Sequence, residues 1–342
     1  MVYRIGDDFK EISLHIPPKQ SKFPPKNHMN FRRSPLFLLL SAVVCFACSS
    51  EKTSNAASKE SFSNNYITIP SGDAKQFYSW TADRVPMVSA HRGGPYPGYP
   101  ENSIRTFEYV LKSTPAVIEC DIEMTADSVL LMMHDNTLDR TTNGIGRVRD
   151  LLWSDLKPLR LKDNEGNLTE DKIPTLEEVL KWSKGKALLT LDVKRGVPFE
   201  LVVDLVEATQ TEEYAAIITY SANDAQRVYQ RNPNLMISVG VGNITAYEAH
   251  RDLGIPDNNM IAFTGVSEPE PSLYKFLHDK GIYAILGVLG NLDRKAIARG
   301  DSIYSGFVRR GADILATDRP IEAARILEEF RPTESSKFKY FK

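Results

Sequence analysis

The stretch Val117-Ile118-Glu119-Cys120-Asp121-Ile122-Glu123 alternates apolar and acidic residues. Side chains of a β-strand point alternately to its two faces, so Glu119 and Asp121 share one face. The other face carries the apolar residues Ile118, Cys120 and Ile122. An apolar face of this kind packs against helices and leaves the two carboxylates on the opposite side of the sheet. We therefore predict a buried strand with helices on one side and a polar site on the other.

Short apolar runs like this one alternate with amphipathic segments along the chain. The predicted strands are Met87 to Ala90, Val117 to Met124, Val129 to Met133, Ala187 to Val193, Ala216 to Tyr220, Leu235 to Val239, Ile282 to Leu286 and Ile314 to Thr317. The predicted helices are Ser103 to Lys112, Thr175 to Ser183, Phe199 to Thr209, Ala222 to Arg231, Thr245 to Asp252, Ser272 to Lys280, Asn291 to Arg310 and Pro320 to Phe330. Strands that alternate with helices form a parallel sheet.

Eight strands over roughly 260 residues match the size of a TIM-type (β/α)8 barrel. The competing architecture, a doubly wound open sheet, would more often carry a glycine-rich phosphate loop after its first strand. We therefore predict an α/β protein with a TIM (β/α)8 barrel. The stretch from Asp135 to Lys172 has no clear long helix and many polar and glycine positions, so we predict a small insertion after strand 3, over the barrel mouth.

The front of the chain reads as an export signal. Arg32 and Arg33 precede an apolar stretch from Leu36 to Ala47 that is short for a membrane span. The end of this stretch, Cys45-Phe46-Ala47-Cys48, resembles a bacterial lipoprotein processing site, which makes Cys48 the predicted lipid anchor; an ordinary cleaved signal is the alternative.

These features divide the chain into four parts. Residues 1–28 are interpreted as a non-native or mis-started extension, with translation beginning at Met29, and residues 29–48 as the signal peptide. Residues 49–66 are rich in serine and polar residues and predict a flexible tether, so the catalytic barrel is expected over 67–342. The protein is therefore expected to be exported and anchored in the bacterial cell envelope, on the periplasmic or outer-surface side.

Composition restricts the partners. A formal net charge of -2 over 342 residues gives no basic excess of the kind that follows a nucleic-acid backbone, so no nucleic-acid partner is predicted. Three cysteines cannot build a disulfide framework. The oligomeric state is left open.

Polar residues follow or end the first four predicted strands. They are His91 and Arg92, Glu119 and Asp121, His134, and finally Asp192 and Lys194. Active sites of TIM barrels lie at the carboxyl ends of the strands, so these side chains are expected at one rim. Paired carboxylates are costly to bury without a cation, and their hard oxygen atoms suit Mg²⁺ or Ca²⁺. Two histidines can act as base and acid, a combination suited to the hydrolysis of a phosphate ester.

At these residues the chain resembles the glycerophosphodiester phosphodiesterase family of TIM-barrel phosphodiesterases. The matching motifs are His91-Arg92-Gly93, Pro100-Glu101-Asn102-Ser103, Glu119-Cys120-Asp121, His134-Asp135, Leu138 to Gly144, Ile173 to Glu178 and Thr317-Asp318-Arg319-Pro320. The resemblance implies a metal-dependent enzyme that hydrolyses glycerophosphodiesters, small-molecule substrates, to an alcohol and glycerol 3-phosphate.

The same resemblance assigns the site residues. It implies His91 and His134 as the catalytic pair, Glu119 and Asp121 as metal ligands, and Arg92 and Lys194 as phosphate contacts. Asp192, the third expected ligand, stands where most of the family has glutamate. Glu101 is a further candidate, although Pro-Glu-Asn also suits a turn and the start of a helix near Ser103.

A second departure is the run Ile282 to Gly287, which lacks the Trp-Thr-Val-Asn sequence common in the family. Two alternatives stay open at this point. One is a lipid phosphodiesterase of the sphingomyelinase D type, which also uses an Asp-x-Lys motif and paired histidines. The other is a non-catalytic lipoprotein that uses the barrel to bind a ligand.

Overall fold

The structure, a computed structural model, describes residues 65–342. The predicted signal sequence, Cys48 and the tether up to residue 64 lie outside this range. Within it, none of the helices combines the length and the apolar character that crossing a membrane requires.

The described residues form eleven strands and eleven α-helices, numbered in chain order. The strands are β1 (Met87–Ala90), β2 (Ala116–Met124), β3 (Leu130–Met132), β4 (Arg160–Lys162), β5 (Leu168–Lys172), β6 (Leu188–Val193), β7 (Ala215–Thr219), β8 (Met236–Gly240), β9 (Met260–Phe263), β10 (Tyr283–Gly287) and β11 (Ile314–Thr317). The helices are α1 (Ala74–Phe77), α2 (Ile104–Leu111), α3 (Trp153–Leu156), α4 (Leu176–Ser183), α5 (Phe199–Thr209), α6 (Ala222–Arg231), α7 (Ile244–Asp252), α8 (Pro271–Asp279), α9 (Asn291–Arg299), α10 (Ile303–Arg310) and α11 (Pro320–Leu327).

Eight of the strands form a closed parallel barrel. Its order is β1, β2, β6, β7, β8, β9, β10 and β11, and β1 closes the ring by pairing with both β2 and β11. Helices separate successive barrel strands in the chain, as the sequence predicts. The TIM-barrel prediction is therefore confirmed.

Three details of the predicted order are wrong. The predicted third strand is β3, which pairs antiparallel with β2 and does not belong to the parallel barrel. The barrel strand missing from the prediction is β9, which is four residues long. The predicted helix from Asn291 to Arg310 is two helices, because the chain adopts the left-handed region at Gly300, with φ of 97°.

Side chains of β2 point alternately outward, to the core between the barrel and the helices, and inward, to the interior of the barrel. Ile118, Cys120 and Ile122 are fully buried between the barrel and the helices. The barrel interior is filled at the amino-terminal ends of its strands, where the side chains of Ile67 and Phe77 pack with the inward residues of the strands. The opposite, carboxyl-terminal end of the interior contains the polar residues.

The insertion follows barrel strand β2 and its partner β3. It contains α3 and the β4–β5 hairpin, and it has a small core of its own built from Leu138, Val148, Leu156 and Leu161. An ion pair between Arg149 of the insertion and the buried Glu123 of β2, at 2.6 Å, attaches it to the barrel.

Candidate active site

The first site residues come from a tight turn after β1. Residues His91–Gly93 form a 3-10 turn in which Arg92 has φ of 52° and Gly93 has φ of 81°. A Cβ atom on Gly93 would lie 2.2 Å from the Phe107 ring, so this position requires glycine. The turn directs His91 to the rim, where its Nδ1 lies 2.7 Å from Oδ1 of Asp318, the residue after β11.

Asp318 changes the acidity of His91. Burial alone lowers the pKa of His91, but the hydrogen bond to Asp318 and the charges of Glu119 and Asp318 outweigh burial and raise it. The imidazolium form is therefore favoured at this position.

Three carboxylates meet inside the barrel mouth. Glu119 and Asp121 point inward from β2 and Asp192 points inward from β6, as predicted, and one oxygen of each lies within 4.8 Å of the others. All three are buried. Burial and the charges of Asp121 and Asp192 raise the pKa of Glu119.

Neighbouring side chains hold this carboxylate triad (Glu119, Asp121 and Asp192) in place. Lys194 Nζ lies 2.6 Å from Asp121 Oδ1 and 2.5 Å from Asp192 Oδ2. Asn102, in the left-handed region with φ of 59°, donates its side-chain amide to Asp121 Oδ2 at 2.7 Å.

The second oxygen of Asp192 also has a partner. Tyr220 donates its hydroxyl to Asp192 Oδ1 at 2.9 Å, from the position that directly follows β7.

The triad fits a hard divalent cation. One lysine faces three buried carboxylates, so negative charge remains to be balanced. Burial first, and then the neighbouring carboxylates, raise the pKa of Glu119, so its charged form is costly without a cation. Carboxylate oxygens are the donors that Mg²⁺ and Ca²⁺ prefer. Aspartate at position 192 does not prevent the three groups from converging, because its oxygen lies within the same 4.8 Å set.

His134 reaches the rim by a different route from the one predicted. β2 continues past the barrel, and the antiparallel β3 runs back along it until the Met133 amide donates to the Asp121 carbonyl at 3.0 Å. His134 then lies one residue beyond, close enough to Asp121 that its charge helps to lower the pKa of that carboxyl. Its Nδ1 lies 2.7 Å from Asp135 Oδ1.

Two arginines surround the buried Glu101. Arg92 Nη1 lies 3.2 Å from Glu101 Oε2, and Arg140 of the insertion donates to both oxygens of Glu101 at 2.8 Å. Arg140 also donates to both oxygens of Asp135, at 2.6 and 2.9 Å, and lowers the pKa of that carboxyl. The insertion thus contributes an arginine that links Glu101 to the partner of His134.

The mouth has two compartments that share His91. The polar compartment, of about 610 Å³, is lined by Arg92, Glu101, Arg140, Lys162 and Asp163 among others. The apolar compartment, of about 340 Å³, reaches from Glu119 and Asp192 to Ile218, Phe263, Val266, Ile285 and Leu289. Arg92 therefore borders the space where an anion would lie, whereas Lys194 contacts the triad.

The sequence predicts the two histidines and the three carboxylates at one rim, and the structure brings them there. The sequence assigns no role to Asp318, Asp135, Asn102 or Tyr220. Two of these contacts have a signal in the sequence. Asp135 directly follows His134, which it binds, and Asn102 directly follows the candidate residue Glu101. Tyr220 and Asp318 lie far along the chain from the groups that they bind, and the sequence offers no local signal for those contacts.

Comparisons with known proteins point to one family. The glycerophosphoryl diester phosphodiesterase family model matches residues 91–243. The glycerophosphodiester phosphodiesterase of Bacillus subtilis is 32% identical over 191 residues, which are 50% of this chain and 64% of that protein. Human glycerophosphodiester phosphodiesterase 1 is 39% identical over 119 residues, which are 34% of this chain and only 35% of the length of that relative.

A crystal structure of a glycerophosphoryl diester phosphodiesterase from Parabacteroides distasonis matches far more of the chain. It is 38% identical, with a TM-score of 0.78, and the match covers 82% of this chain and 99% of that one. The shared fold and this identity extend over nearly all of the described barrel. The chain therefore belongs to the glycerophosphodiester phosphodiesterase family.

Proposed function

We propose that this protein hydrolyses glycerophosphodiesters to an alcohol and glycerol 3-phosphate. The observation that carries the proposal is the convergence of two carboxylate-bound histidines on the buried triad. This arrangement supplies proton transfer and charge neutralisation at one place, which are the requirements of phosphodiester hydrolysis. Relatives that share the family and up to 39% identity carry this activity in their names.

Glu119, Asp121 and Asp192 are the residues that would hold the cation, Mg²⁺ or Ca²⁺. When bound, the cation supplies positive charge to the non-bridging phosphate oxygens. Arg92, at the edge of the polar compartment, supports the same oxygens from the protein side. Lys194 offsets part of the charge of the triad, so its predicted contact with phosphate stays a prediction.

The two histidines divide the proton transfers. Asp318 and Asp135 each bind Nδ1, which leaves Nε2 of each ring for the substrate. Because its pKa is raised, His91 is assigned as the acid that protonates the leaving alkoxide. His134 is then the base that removes a proton from the attacking water.

A chelation experiment with a substrate panel tests this proposal. Glycerophosphocholine and glycerophosphoethanolamine are supplied to the protein after chelation, with Mg²⁺ or Ca²⁺ added back, and the free alcohol is measured. We expect activity only after a cation is restored. Full activity in the chelated protein would contradict the role of the triad.

Histidine variants test the assignment of the catalytic groups. His91→Ala and His134→Ala are expected to lower kcat by about 10² to 10⁴-fold, the usual contribution of a positioned acid or base. The matched control is His278→Ala, because His278 also pairs with a carboxylate, Asp313 at 3.0 Å, but at the other end of the barrel. Equal losses in all three variants would refute the assignment.

We also propose that the protein is exported and anchored through Cys48, from the signal pattern in residues 29–48. Incorporation of labelled fatty acid into the native protein, and its loss in Cys48→Ala, is the expected result. A cleaved protein without lipid would favour an ordinary secretory signal instead.

A further inference from the structure

The two compartments of the mouth differ in chemistry although they share a wall. The polar compartment contains arginine, lysine, glutamate and aspartate side chains. The apolar compartment begins at Glu119 and Asp192. Aliphatic and aromatic side chains on or just after β7, β9, β10 and β11 form most of the remaining wall, and β8 contributes the small residues Ser238 and Gly240. His91 borders both spaces, so a phosphorus atom near His91 would lie at their junction.

The shape of the apolar wall depends on a glycine, Gly287, as well as on the side chains that line it. A Cβ atom on Gly287 at the end of β10 would lie 2.9 Å from the Phe263 ring and 3.1 Å from Val266. Glycine at this position therefore lets the Phe263 ring and Val266 approach β10 closely. Ile285 of the same strand also lines the compartment.

The compartment opens at the rim through exposed apolar residues. Val266 lies three residues after the end of β9 and is 57% exposed. Tyr220 directly follows β7 and is 76% exposed. Both also line the compartment. A group longer than the cavity can thus continue outward over an apolar surface.

A phosphodiester has two substituents, and this site offers them two spaces of opposite polarity. We propose that the substrate of this protein carries an aliphatic chain on one side of the phosphate and a polar alcohol on the other, as a lysophospholipid does. The acylglycerol side occupies the apolar compartment, and the polar alcohol occupies the space near Arg92 and Glu101. This inference rests on the proposed function and narrows its substrate class.

The reaction remains a simple hydrolysis. Water adds to phosphorus and loses a proton, the bond from phosphorus to the alcohol oxygen breaks, and that oxygen gains a proton. With a choline ester, free choline is released whether or not the glycerol carries an acyl chain. One assay therefore measures both substrates.

The test compares 1-octanoyl-lysophosphatidylcholine, kept below its micelle concentration, with glycerophosphocholine in the cation-supplied full chain. We expect kcat/KM to be at least about tenfold higher for the acylated substrate, since even one methylene in an apolar pocket is worth roughly tenfold or more. Val266→Gln and, separately, Leu289→Gln are each expected to lower this preference at least fivefold. The control is Ile244→Gln, because Ile244 is 46% exposed at the start of α7 and does not line the compartment.

The outcomes separate the two proposals. Cleavage of glycerophosphocholine without a preference for the acylated substrate overturns the present inference and leaves the proposed function standing. A preference that survives both Val266→Gln and Leu289→Gln also overturns it, because the chain then lies elsewhere. If neither substrate is cleaved by the wild-type protein, the proposed function fails and this inference fails with it. Melting curves show whether each variant is folded, and the exposure of Val266 makes misfolding of that variant unexpected.

Discussion

Two buried carboxylates at opposite ends of the barrel have opposite surroundings. Asp313, before β11, is completely buried and accepts hydrogen bonds from Arg84, from Trp80 Nε1 at 3.1 Å and from the Ala284 amide at 2.8 Å. Glu119, on β2, is 9% exposed and accepts a hydrogen bond from the Arg92 amide at 2.6 Å, with two further carboxylates beside it.

The difference distinguishes a carboxylate that stabilises the fold, Asp313, from one that serves the site, Glu119. A buried charge whose partners are complete contributes to the fold, and removing it leaves those partners unpaired. A buried charge crowded by like charges costs stability and is kept for another reason, which is usually function. Burial alone therefore does not distinguish a structural carboxylate from a ligand, whereas the partners do.

The strongest change that we predict is a loss of stability, caused by a substitution at the amino-terminal end of the barrel. Asp313→Asn leaves Arg84 and His278 without their negative partner, so we expect the free energy of unfolding to fall by about 3–5 kcal/mol. Denaturant titration measures this loss. The kcat of the folded variant should equal that of the wild type, and a selective loss of kcat would show that the two ends are coupled.

The next effect is on activity, at the carboxyl-terminal end. Glu119→Gln keeps the shape but removes one charge from the triad, so we expect kcat to fall by about 10² to 10³-fold. Because like-charge repulsion is relieved, the melting temperature without a cation should be equal or higher than in the wild type.

Cation binding provides the companion measurement for this variant. Wild-type protein should gain melting temperature when Mg²⁺ or Ca²⁺ is added, since a ligand that binds the folded state stabilises it. Glu119→Gln should lose most of that gain, whereas Asp313→Asn should keep it. If the cation raised the melting temperature of both variants equally, Glu119 would not be a cation ligand and the two carboxylates would not differ in role.

The smallest change that we predict is a shift in the pH dependence of the rate when Asp318, the partner of His91 at the rim, is substituted. Asp318 raises the pKa of His91, so Asp318→Asn lowers it and deprotonates the imidazole at lower pH. If His91 is the acid, the alkaline limb of the rate profile moves to lower pH, with a loss of about tenfold near neutral pH. The control is Asp301→Asn, because Asp301 pairs with Arg319 and not with a histidine. An alkaline limb that stays in place or moves to higher pH would contradict the assignment.

The sequence predicts the inward faces of β2 and β6 because side chains alternate strictly along a strand. It also contains the reason why β3 is antiparallel. Only residues 125–129 separate β2 from β3, too few for the crossover that parallel strands need. The apolar character of the run predicts a strand, and the short connection determines its antiparallel direction.

Other features depend on tertiary contacts that no local pattern shows. β9 has four residues and no alternation, so its burial between β8 and β10 defines it as a strand. The contact of His91 with Asp318 joins residues 227 positions apart, and that of Tyr220 with Asp192 joins two different strand ends. Barrel closure brings these groups together, so their roles follow from the fold.

The first and the last described residues meet at the amino-terminal end of the barrel, which has a practical consequence. Ile67 bridges to Phe341, and the Lys342 amide donates to the Tyr66 carbonyl at 2.9 Å, at the end of the barrel away from His91. Adjacent termini of a domain tolerate relinking, so a circularly permuted protein with new ends in a surface loop should fold. A fusion partner joined to the described barrel at residue 65 or at residue 342 would likewise be attached at the end away from His91.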